Sequence, residues 1–423
     1  MKVLGLQAFL SGIADAGREL LAGKDKADAS NLPALCQDLI SQRGEALGVA
    51  LAREVVRAYE ALDEDGRLSF FQMLLDDYGP DMATIDGAVA TYQAHPGQDT
   101  ALALARAVEP ARQRLIRSIN MAPGGTAAVV AMRTYLLGLL ELHPGLGPVE
   151  ADFGHLLHSW FNRGFLTLEQ IDWNTPALIL EKIISYEAVH AIGGWDDLRR
   201  RLEEDRRCFA FFHPALPDEP LIFVEVALIN GLADKIDPLL ALDGDIGDAV
   251  KADTAIFYSI SNCQDGLRGI SFGNFLIKQV VARLRRDLPN LKQFSTLSPI
   301  PGFRSWLEKA REEENPVLGD LPENPPLHDN SEHKDDVVRL AAHYLINEKH
   351  KGQPLDPVAR FHLGNGAGLE RINWMGDPSE RGIAQSAGML VNYLYDLDKI
   401  ESYHEAFINE GIVACSRSVK NLL

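Results

Sequence analysis

The sequence is poor in cysteine and has none of the short cysteine spacings that bind zinc. Its four cysteines, Cys36, Cys208, Cys263 and Cys415, are widely separated, and none belongs to a C-x-x-C pair. Four widely separated cysteines without a paired spacing indicate no disulfide framework. We therefore predict a reducing, cytoplasmic location and no metal site built on cysteine.

Positive charge is also scarce. The chain has 41 lysine and arginine residues against 60 aspartate and glutamate residues, a net charge of −19. A protein of that charge is not expected to bind nucleic acid or anionic membranes non-specifically. The sequence also lacks an apolar stretch of membrane-spanning length and a charged N-terminal segment that leads into a long apolar run. We therefore expect no nucleic-acid partner and no membrane partner.

The first part of the chain has the pattern of a helical bundle. Apolar residues recur every three or four positions up to about residue 155, and turns rich in glycine and proline interrupt them. Short helices with short connections favour antiparallel packing, so we predict a bundle over residues 1–155 that serves oligomerisation. The apolar run Tyr135–Leu140 is expected to be buried within the bundle or against another subunit.

The second part, residues 156–423, has the pattern of a mixed sheet. The segments Phe209–Phe212 and Leu221–Ala227 predict a hairpin with a proline-rich loop between its strands. A strand over Ala255–Ile260, a helix from about Phe275 and a strand over Gln293–Leu297 follow. A hairpin followed by strand–turn–helix–strand predicts an α+β domain with helices packed on a mixed sheet.

Beyond Phe303 the chain is predicted to be mainly helical, with an exposed connection over Glu312–Asp336. Tyr393 and Tyr395 lie in this part and are interpreted as core or hairpin aromatics. One of their hydroxyl groups is a candidate to reach a functional site.

A glycine turn precedes the predicted helix and has the features of an anion site. Its residues are Arg268, Gly269, Ile270, Ser271, Phe272, Gly273 and Asn274. Backbone N–H groups that converge at a helix N-terminus bind phosphate groups. The turn matches neither G-x-G-x-x-G nor the Gly-Lys-Ser/Thr loop of nucleotide-binding proteins. It is similar to the Arg-Gly-x-Gly-x-Gly turn with which acyl-CoA N-acyltransferases hold the pyrophosphate of coenzyme A, although Ser271 replaces a glycine.

Ser298 and His362 are the best candidates for chemistry. Ser298 ends the second strand of the strand–helix–strand unit, within Ser-Pro-Ile-Pro-Gly, and its neighbouring prolines make a stiff turn. His362 lies before a turn with two glycines and an asparagine. A serine and a histidine that meet can share acid–base work, but nothing local in the sequence shows that these two meet.

Other polar residues are interpreted as structural. His155 and His158 lack a Glu-x-x-His or His-Glu-x-x-His pattern, so we expect no metal there. Glu225, in an apolar strand, is expected to face solvent through the alternation of that strand, and a buried catalytic carboxylate is the alternative. The runs Arg199–Arg201 and Arg206–Arg207 are interpreted as a solvated helix face and the entry to a strand, with a contribution to phosphate binding as the alternative.

Several segments together resemble malonyl-CoA decarboxylases, in the bacterial cytosolic form. The segments that carry the resemblance, in family order, are Glu187–His190, Ile256–Ser261, Asn274–Lys278, Phe294–Phe303, Phe361–Ala367 and Arg371–Met375.

The resemblance implies a helical N-terminal domain and a C-terminal domain with the acyl-CoA N-acyltransferase (GNAT-like) fold. It places the family's catalytic serine on Ser298, its catalytic histidine on His362, and a supporting serine on Ser259. The coenzyme A turn falls on Arg268–Asn274. Tyr395 is added as a candidate catalytic hydroxyl.

The activity so implied is decarboxylation of malonyl-CoA to acetyl-CoA and carbon dioxide, without a metal or organic cofactor, by a homotetramer built as a dimer of dimers. Two alternatives stay open at this point. An acyl-CoA-dependent N-acyltransferase would use the same turn but needs an amine acceptor. A non-catalytic acyl-CoA sensor would bind without turnover.

Overall fold

The computed structural model describes residues 11–13, 15, 31–42, 44–161, 163–270, 276–323 and 325–423, with only the backbone of Arg163. The chain divides into two compact units. The first comprises Met1–Leu166, Phe212–Glu219 and Gln264–Phe272, and the second comprises Thr167–Phe211, Pro220–Cys263 and Gly273–Leu423. The boundary near residue 155 stays a prediction.

The first unit is helical, as the periodicity predicts. Asp63 and Asp81 cap two of its helices, because their carboxylates accept hydrogen bonds from Gly66 N at 2.9 Å and Ala83 N at 3.1 Å. Its described helices are α1 Leu32–Ser41, α2 Glu45–Glu60, α3 Glu64–Asp76, α4 Met82–Ala94, α5 Gln98–Ala107, α6 Ala111–Ile119, α7 Gly125–Leu139 and α8 Gly147–Trp160. In the part of the predicted bundle before residue 31, the described residues 11–13 and 15 are helical.

The core of the first unit is built from large side chains on several helices. Phe71, Phe153 and Leu136 are fully buried, and the rings of Phe71 and Phe153 meet edge to face at 6.3 Å. Helices α4 and α5 differ from the rest, because neither has a buried residue. Within the described residues, no helix is long and apolar enough to cross a bilayer.

The described part of the chain contains a mixed sheet of eight strands. These strands are β1 Thr167–Ile171, β2 Arg206–His213, β3 Leu216–Ile229, β4 Thr254–Asn262, β5 Gln293–Thr296, β6 Ser298–Pro299, β9 Gly368–Asn373 and β10 Leu390–Leu394. Their order in the sheet is β1-β2-β3-β4-β5-β10-β6, with β9 on β10. Except for Phe212–Glu219 in the β2–β3 hairpin, the residues of these strands belong to the second unit. A separate small hairpin pairs β7 Lys349–His350 with β8 Gln353–Pro354.

The strand–helix–strand part of the prediction is confirmed, while residues 271–275 of the turn and the helix start lie outside the described residues. Strands β4 and β5 are parallel, with Phe257 opposite Thr296, and helix Leu276–Asp287 connects them. The helices of this unit are α9 Ala177–Tyr186, α10 Trp195–Arg201, α11 Asp237–Leu240, α12 Leu276–Asp287, α13 Phe303–Glu312, α14 Lys334–Ile346, α15 Pro357–Gly364, α16 Glu380–Ser386, α17 Ile400–Glu410 and α18 Arg417–Lys420.

Two predictions about the strands were incomplete. The hairpin β2–β3 exists, but its strands extend to His213 and from Leu216, so the proline-rich stretch belongs to a strand rather than to a long loop. The chain after Phe303 is not only helical, because β9 and β10 lie there and β10 inserts between β5 and β6. Short strands that pair with distant partners have too weak a local pattern to be recognised.

The interpretation of Glu225 as solvent-facing is wrong. Its side chain is fully buried, and its carboxylate accepts a hydrogen bond from Arg201 Nη1 at 2.7 Å. Burial raises the pKa of Glu225 to about 8, while Arg201 opposes that shift. Strand β3 is buried on both faces here, so its alternation says nothing about exposure.

The arginine runs are likewise largely buried. Arg200 donates two hydrogen bonds to the Asp205 carboxylate, at 2.7 and 3.1 Å, and Arg206 is also buried beside Asp205. Arg199 stays exposed. The interpretation as a solvated face therefore fails for Arg200 and Arg201, since each has a carboxylate partner that the sequence does not show. Arg206 begins β2, as its interpretation as a strand entry predicts.

Candidate active site

The structure brings Ser298 and His362 together inside the second unit. Ser298 Oγ lies 3.1 Å from His362 Nε2, and both side chains are buried. On the other side of the ring, His362 Nδ1 lies 2.8 Å from the Tyr395 hydroxyl. Serine, imidazole and phenol therefore form one continuous hydrogen-bonded chain, which we call the Ser298–His362–Tyr395 chain.

Burial sets the protonation of this chain. Desolvation lowers the pKa of His362 to about 3, because the ring has no charged partner to stabilise an imidazolium. Burial also raises the pKa of the Tyr395 phenol well above its ordinary value. At neutral pH the chain therefore holds a neutral imidazole and a protonated phenol.

The Tyr393 ring packs against the face of the His362 ring. The rings of His362 and Tyr393 stack with centroids 4.7 Å apart and planes 24° apart. The Tyr393 hydroxyl is buried and has no hydrogen-bond partner among the described residues. Tyr393 therefore acts on His362 through its ring, whereas Tyr395 acts through its hydroxyl. Both of these tyrosines, left open as candidates by the sequence, contact the histidine.

His362 lies on helix α15, whose N-terminus is capped by a side chain. Asp356 accepts a hydrogen bond from Ala359 N at 2.8 Å, and Pro357 begins the helix with a backbone that suits its first turn. After the helix, Gly366 has a left-handed φ of +84°, and a Cβ there would collide with the Ile400 carbonyl. Sequence reasoning missed Asp356, although Asp-Pro before an apolar run is a recognisable helix start.

Strand β10 contains Tyr393 and ends one residue before Tyr395, so it orients both tyrosines. It pairs with Ser298 through Val391, and its register against β9 shifts between Asn392 and Tyr393. A bulge of this kind re-aims the side chains that follow it. The buried Asn392 amide anchors the strand beside the bulge, since its Nδ2 donates to Thr296 O at 2.7 Å.

The predicted supporting serine, Ser259, lies on β4 and contacts a buried carboxylate. Its hydroxyl donates to Glu187 Oε2 at 2.7 Å and reaches Oε1 at 2.9 Å. Ser261 also donates to Glu187, at 3.2 Å. No hydrogen bond among the described residues joins Ser259 to the Ser298–His362–Tyr395 chain. Glu187 was noted in the sequence only within a matching segment, and no local signal marks it as a partner of Ser259.

The described part of the predicted coenzyme A turn is held within the first unit. Arg133 Nη1 donates to the carbonyl groups of Gly266, at 2.6 Å, and Arg268, at 3.0 Å. Gly269 has a φ of +81°, with open space where a side chain would lie. Ile270 is buried. The predicted positions Ser271, Phe272, Gly273 and Asn274 lie outside the described residues.

Comparison with protein families identifies both parts of the chain. The profile of the malonyl-CoA decarboxylase C-terminal domain matches residues 164–423, and that of the malonyl-CoA decarboxylase N-terminal domain matches residues 78–161. Among curated relatives, the mitochondrial malonyl-CoA decarboxylase of Anser anser anser is 37% identical over 413 residues, which cover 86% of this chain and 82% of that protein. The Mus musculus protein is 35% identical over 354 residues, with 75% and 72% covered.

Solved structures agree with this assignment. The crystal structure of malonyl-CoA decarboxylase from Rhodopseudomonas palustris is similar with a TM-score of 0.89 and 51% identity, over 93% of this chain and 99% of that one. The enzyme from Agrobacterium vitis has a TM-score of 0.86 and 50% identity, over the same shares.

Proposed function

The chain belongs to the malonyl-CoA decarboxylase family, and we propose that the Ser298–His362–Tyr395 chain is where it converts malonyl-CoA to acetyl-CoA and carbon dioxide. One observation carries the proposal. A serine hydroxyl and a phenol are hydrogen-bonded to the two nitrogens of one buried imidazole, at 3.1 and 2.8 Å. Such an arrangement can offer the serine hydroxyl proton to a substrate oxygen first and transfer the ring proton to the substrate carbon afterwards.

The reaction needs an electron sink and a proton. When the bond between Cα and the carboxylate breaks, carbon dioxide leaves and the electron pair passes to Cα and the thioester oxygen as an enolate. One proton then adds to Cα, so each turnover takes up one proton. The thioester carbonyl is itself the electron sink, and the proposed chemistry therefore uses no resident metal or organic cofactor, since coenzyme A enters as part of the substrate.

The direction of the hydrogen bonds follows from Tyr395. Its phenol proton needs an acceptor in this apolar site, and His362 Nδ1 is the acceptor that the described residues supply. The ring proton then resides on Nε2 and is donated to Ser298 Oγ. The opposite tautomer would leave the phenol proton unpaired, which typically costs about 1–3 kcal/mol.

This tautomer assigns a role to each group. The Ser298 hydroxyl proton is free for a substrate oxygen, either the thioester oxygen as it becomes an enolate or the carboxylate as it is aligned for cleavage. The neutral His362 ring donates its Nε2 proton to Cα, as a neutral imidazole can do for a strongly basic carbanion. The Tyr395 hydroxyl stabilises the charge that this donation leaves on the ring.

We also propose that residues 268–274 hold the pyrophosphate of coenzyme A. The left-handed Gly269 supports this, because a glycine with open space beside it lets a phosphate approach the backbone. Malonyl-CoA is then the small-molecule partner. The tetrameric assembly and the cytoplasmic location stay predictions.

The test is incubation of the purified protein with malonyl-CoA alone. Acetyl-CoA and carbon dioxide in equal amounts, without any amine, support the proposal. Product only in the presence of an amine would indicate an N-acyltransferase, and tight binding without product would indicate a sensor.

Ser298→Ala and His362→Ala should each lower kcat at least about a hundredfold while coenzyme A still binds. Near-normal turnover in either variant would remove that residue from the mechanism.

A further inference from the structure

The turn that follows Ser298 has few backbone donors of its own. Pro299 and Pro301 have no N–H group, so Ile300 carries the one backbone N–H among the three residues after Ser298. On the N-terminal side, the sheet fixes Ser298 through its pairing with Val391 of β10. On the C-terminal side, the path of the chain depends on the bonds that Ile300 makes.

Ile300 bonds a serine that lies far away in the sequence. Its N–H donates to Ser386 Oγ at 2.9 Å, and its carbonyl accepts from Phe303 N at 3.1 Å. Both Ile300 and Ser386 are fully buried. A buried N–H group needs an acceptor, and Ser386 Oγ is the one that the described residues supply.

The segment that follows Ser386 is fixed to the same turn. Ser386 is the last residue of α16, and the next two residues, Ala387 and Gly388, have left-handed φ values of +50° and +75° that end the helix. The chain then enters β10, which pairs with Pro299. Strand pairing therefore holds the C-terminal end of α16 close to the turn that its serine bonds.

The N-terminus of α16 is held by side chains. Ser379 Oγ accepts a hydrogen bond from Gly382 N at 3.0 Å, and Asp377 Oδ1 accepts one from Ser379 N at 3.1 Å. A Cβ at Gly382 would collide with the Asp377 carbonyl, so the helix packs closely on the segment before it. Both ends of this seven-residue helix are thus fixed, and Ser386 Oγ is an acceptor at a defined position.

The position of Ser298 decides whether it can act with His362. Their contact of 3.1 Å leaves little room for displacement, since a shift of about 1 Å in a catalytic group can cost about a hundredfold in rate. Ser298 precedes a proline, which restricts its backbone to extended conformations. A movement of Ile300 is therefore transmitted through the stiff Pro299 to Ser298.

We propose that Ser386 is a positioning residue, which keeps the Ser298 hydroxyl against His362 Nε2 by holding the Ile300 N–H group. In the part of the chain that the structure describes, no hydrogen bond joins Ser386 to the Ser298–His362–Tyr395 chain itself. Ser386 therefore acts through the turn and not on the imidazole ring. This inference rests on the proposed decarboxylation.

Ser386→Ala removes the acceptor and leaves the Ile300 N–H unpaired. We expect kcat to fall about tenfold, because the turn shifts, while KM for malonyl-CoA stays within about twofold. Ser331→Ala is the matched control, since Ser331 is also buried and its Oγ accepts a backbone N–H, from His333 at 3.2 Å. Its kcat should stay within about twofold of wild type. Wild-type kcat in Ser386→Ala would overturn the inference.

A double-mutant cycle distinguishes positioning of Ser298 from a general loss of structure. In a Ser298→Ala background, Ser386→Ala should change the residual kcat by less than about twofold, because the group that Ser386 positions is already absent. A further loss of about tenfold in that background would show that Ser386 does not act through Ser298, contrary to the inference.

If Ser386→Ala does not fold, Ser386→Cys takes its place, because a thiol has nearly the same shape and is only a weak acceptor. Its kcat should fall at least about threefold in the wild-type background and less than about twofold in the Ser298→Ala background. Wild-type kcat, or equal losses in the two backgrounds, would contradict the inference. Absence of acetyl-CoA from the wild-type protein would instead refute the proposed function.

Discussion

At the scale of single residues, two neighbouring tyrosines contact the same histidine in different ways. Tyr395 bonds Nδ1 of His362 through its hydroxyl, and Tyr393 stacks on the ring while its own hydroxyl has no partner among the described residues. The two side chains differ from their phenylalanine analogues by one oxygen each. The Tyr395 oxygen has a role in the proposed tautomer, and the Tyr393 oxygen has none.

We expect Tyr395→Phe to lower kcat by about tenfold or more, because the ring loses the bond that places its proton on Nε2. Tyr393→Phe is the matched control. It keeps the stacked ring and removes an unpartnered buried hydroxyl, so kcat should stay within about twofold and the protein should unfold at an equal or higher temperature. Steady-state kinetics and thermal unfolding measure both. Equal kcat values in the two variants would contradict the tautomer assignment.

The pH dependence of stability should report the neutral state of His362. Its pKa is about 3 in the folded protein and about 6.5 in an unfolded chain. Between these values the unfolded chain binds a proton that the folded ring does not, so acidification below about pH 6.5 destabilises the fold. At pH 5, titration of His362 lowers the free energy of unfolding by about 2 kcal/mol relative to neutral pH.

His362→Gln removes this titration and serves as the reference. Between pH 7.5 and pH 5, wild type should lose about 2 kcal/mol more of its free energy of unfolding than the variant, as measured by urea denaturation. Other shifted groups, such as Asp356 with a pKa raised to about 6 by burial, titrate in both proteins and largely cancel in the difference. Equal losses of unfolding free energy in wild type and His362→Gln would mean that the His362 ring is already a protonated imidazolium in the folded state.

At the scale of elements, the turn at Gly269 is held by Arg133 and has a left-handed backbone. We expect Gly269→Val to raise the KM for malonyl-CoA strongly, because a β-branched side chain is strained there and blocks approach to the backbone. Gly231→Val is the control, since Gly231 also has a positive φ and open space beside it. Circular dichroism should show both variants folded. The same KM for malonyl-CoA in Gly269→Val and Gly231→Val would mean that the coenzyme A part of the substrate binds at another turn.

At the scale of the whole molecule, helices α4 and α5 leave apolar side chains exposed. Met82 is 63% and Leu102 is 51% exposed, and neither helix has a buried residue. Apolar surface of this kind in a helical hairpin suits association with another subunit. The helical region therefore remains the predicted site of assembly, as the sequence also suggests.

The full chain is expected to sediment as a tetramer at micromolar concentration. Leu102→Asp should shift it to smaller species, because a charge in an apolar interface is costly. Leu242→Asp, at a position 61% exposed in the second unit, should leave the sedimentation unchanged. A wild-type protein that sediments as a monomer would refute the assembly prediction without affecting the chemistry.

Local patterns predicted much of the fold. The helices up to residue 155 and the unit β4–α12–β5 follow from apolar periodicity, since each of these elements buries one face or is buried throughout. The patterns failed where burial depends on a distant partner. Glu225 is buried because Arg201 reaches it, and β10 is a strand because β5, β6 and β9 surround it.

The sequence by itself determined the family, through motifs whose order along the chain is specific, and it singled out Ser298 and His362. Only the tertiary structure decided that these two side chains lie 3.1 Å apart, that Tyr395 bonds the same ring, and that Ser259 donates to Glu187 instead. The physical reason is that such contacts depend on strand register, on the bulge at Asn392 and on helix placement. These features arise from packing between segments far apart in the chain, which no local pattern records.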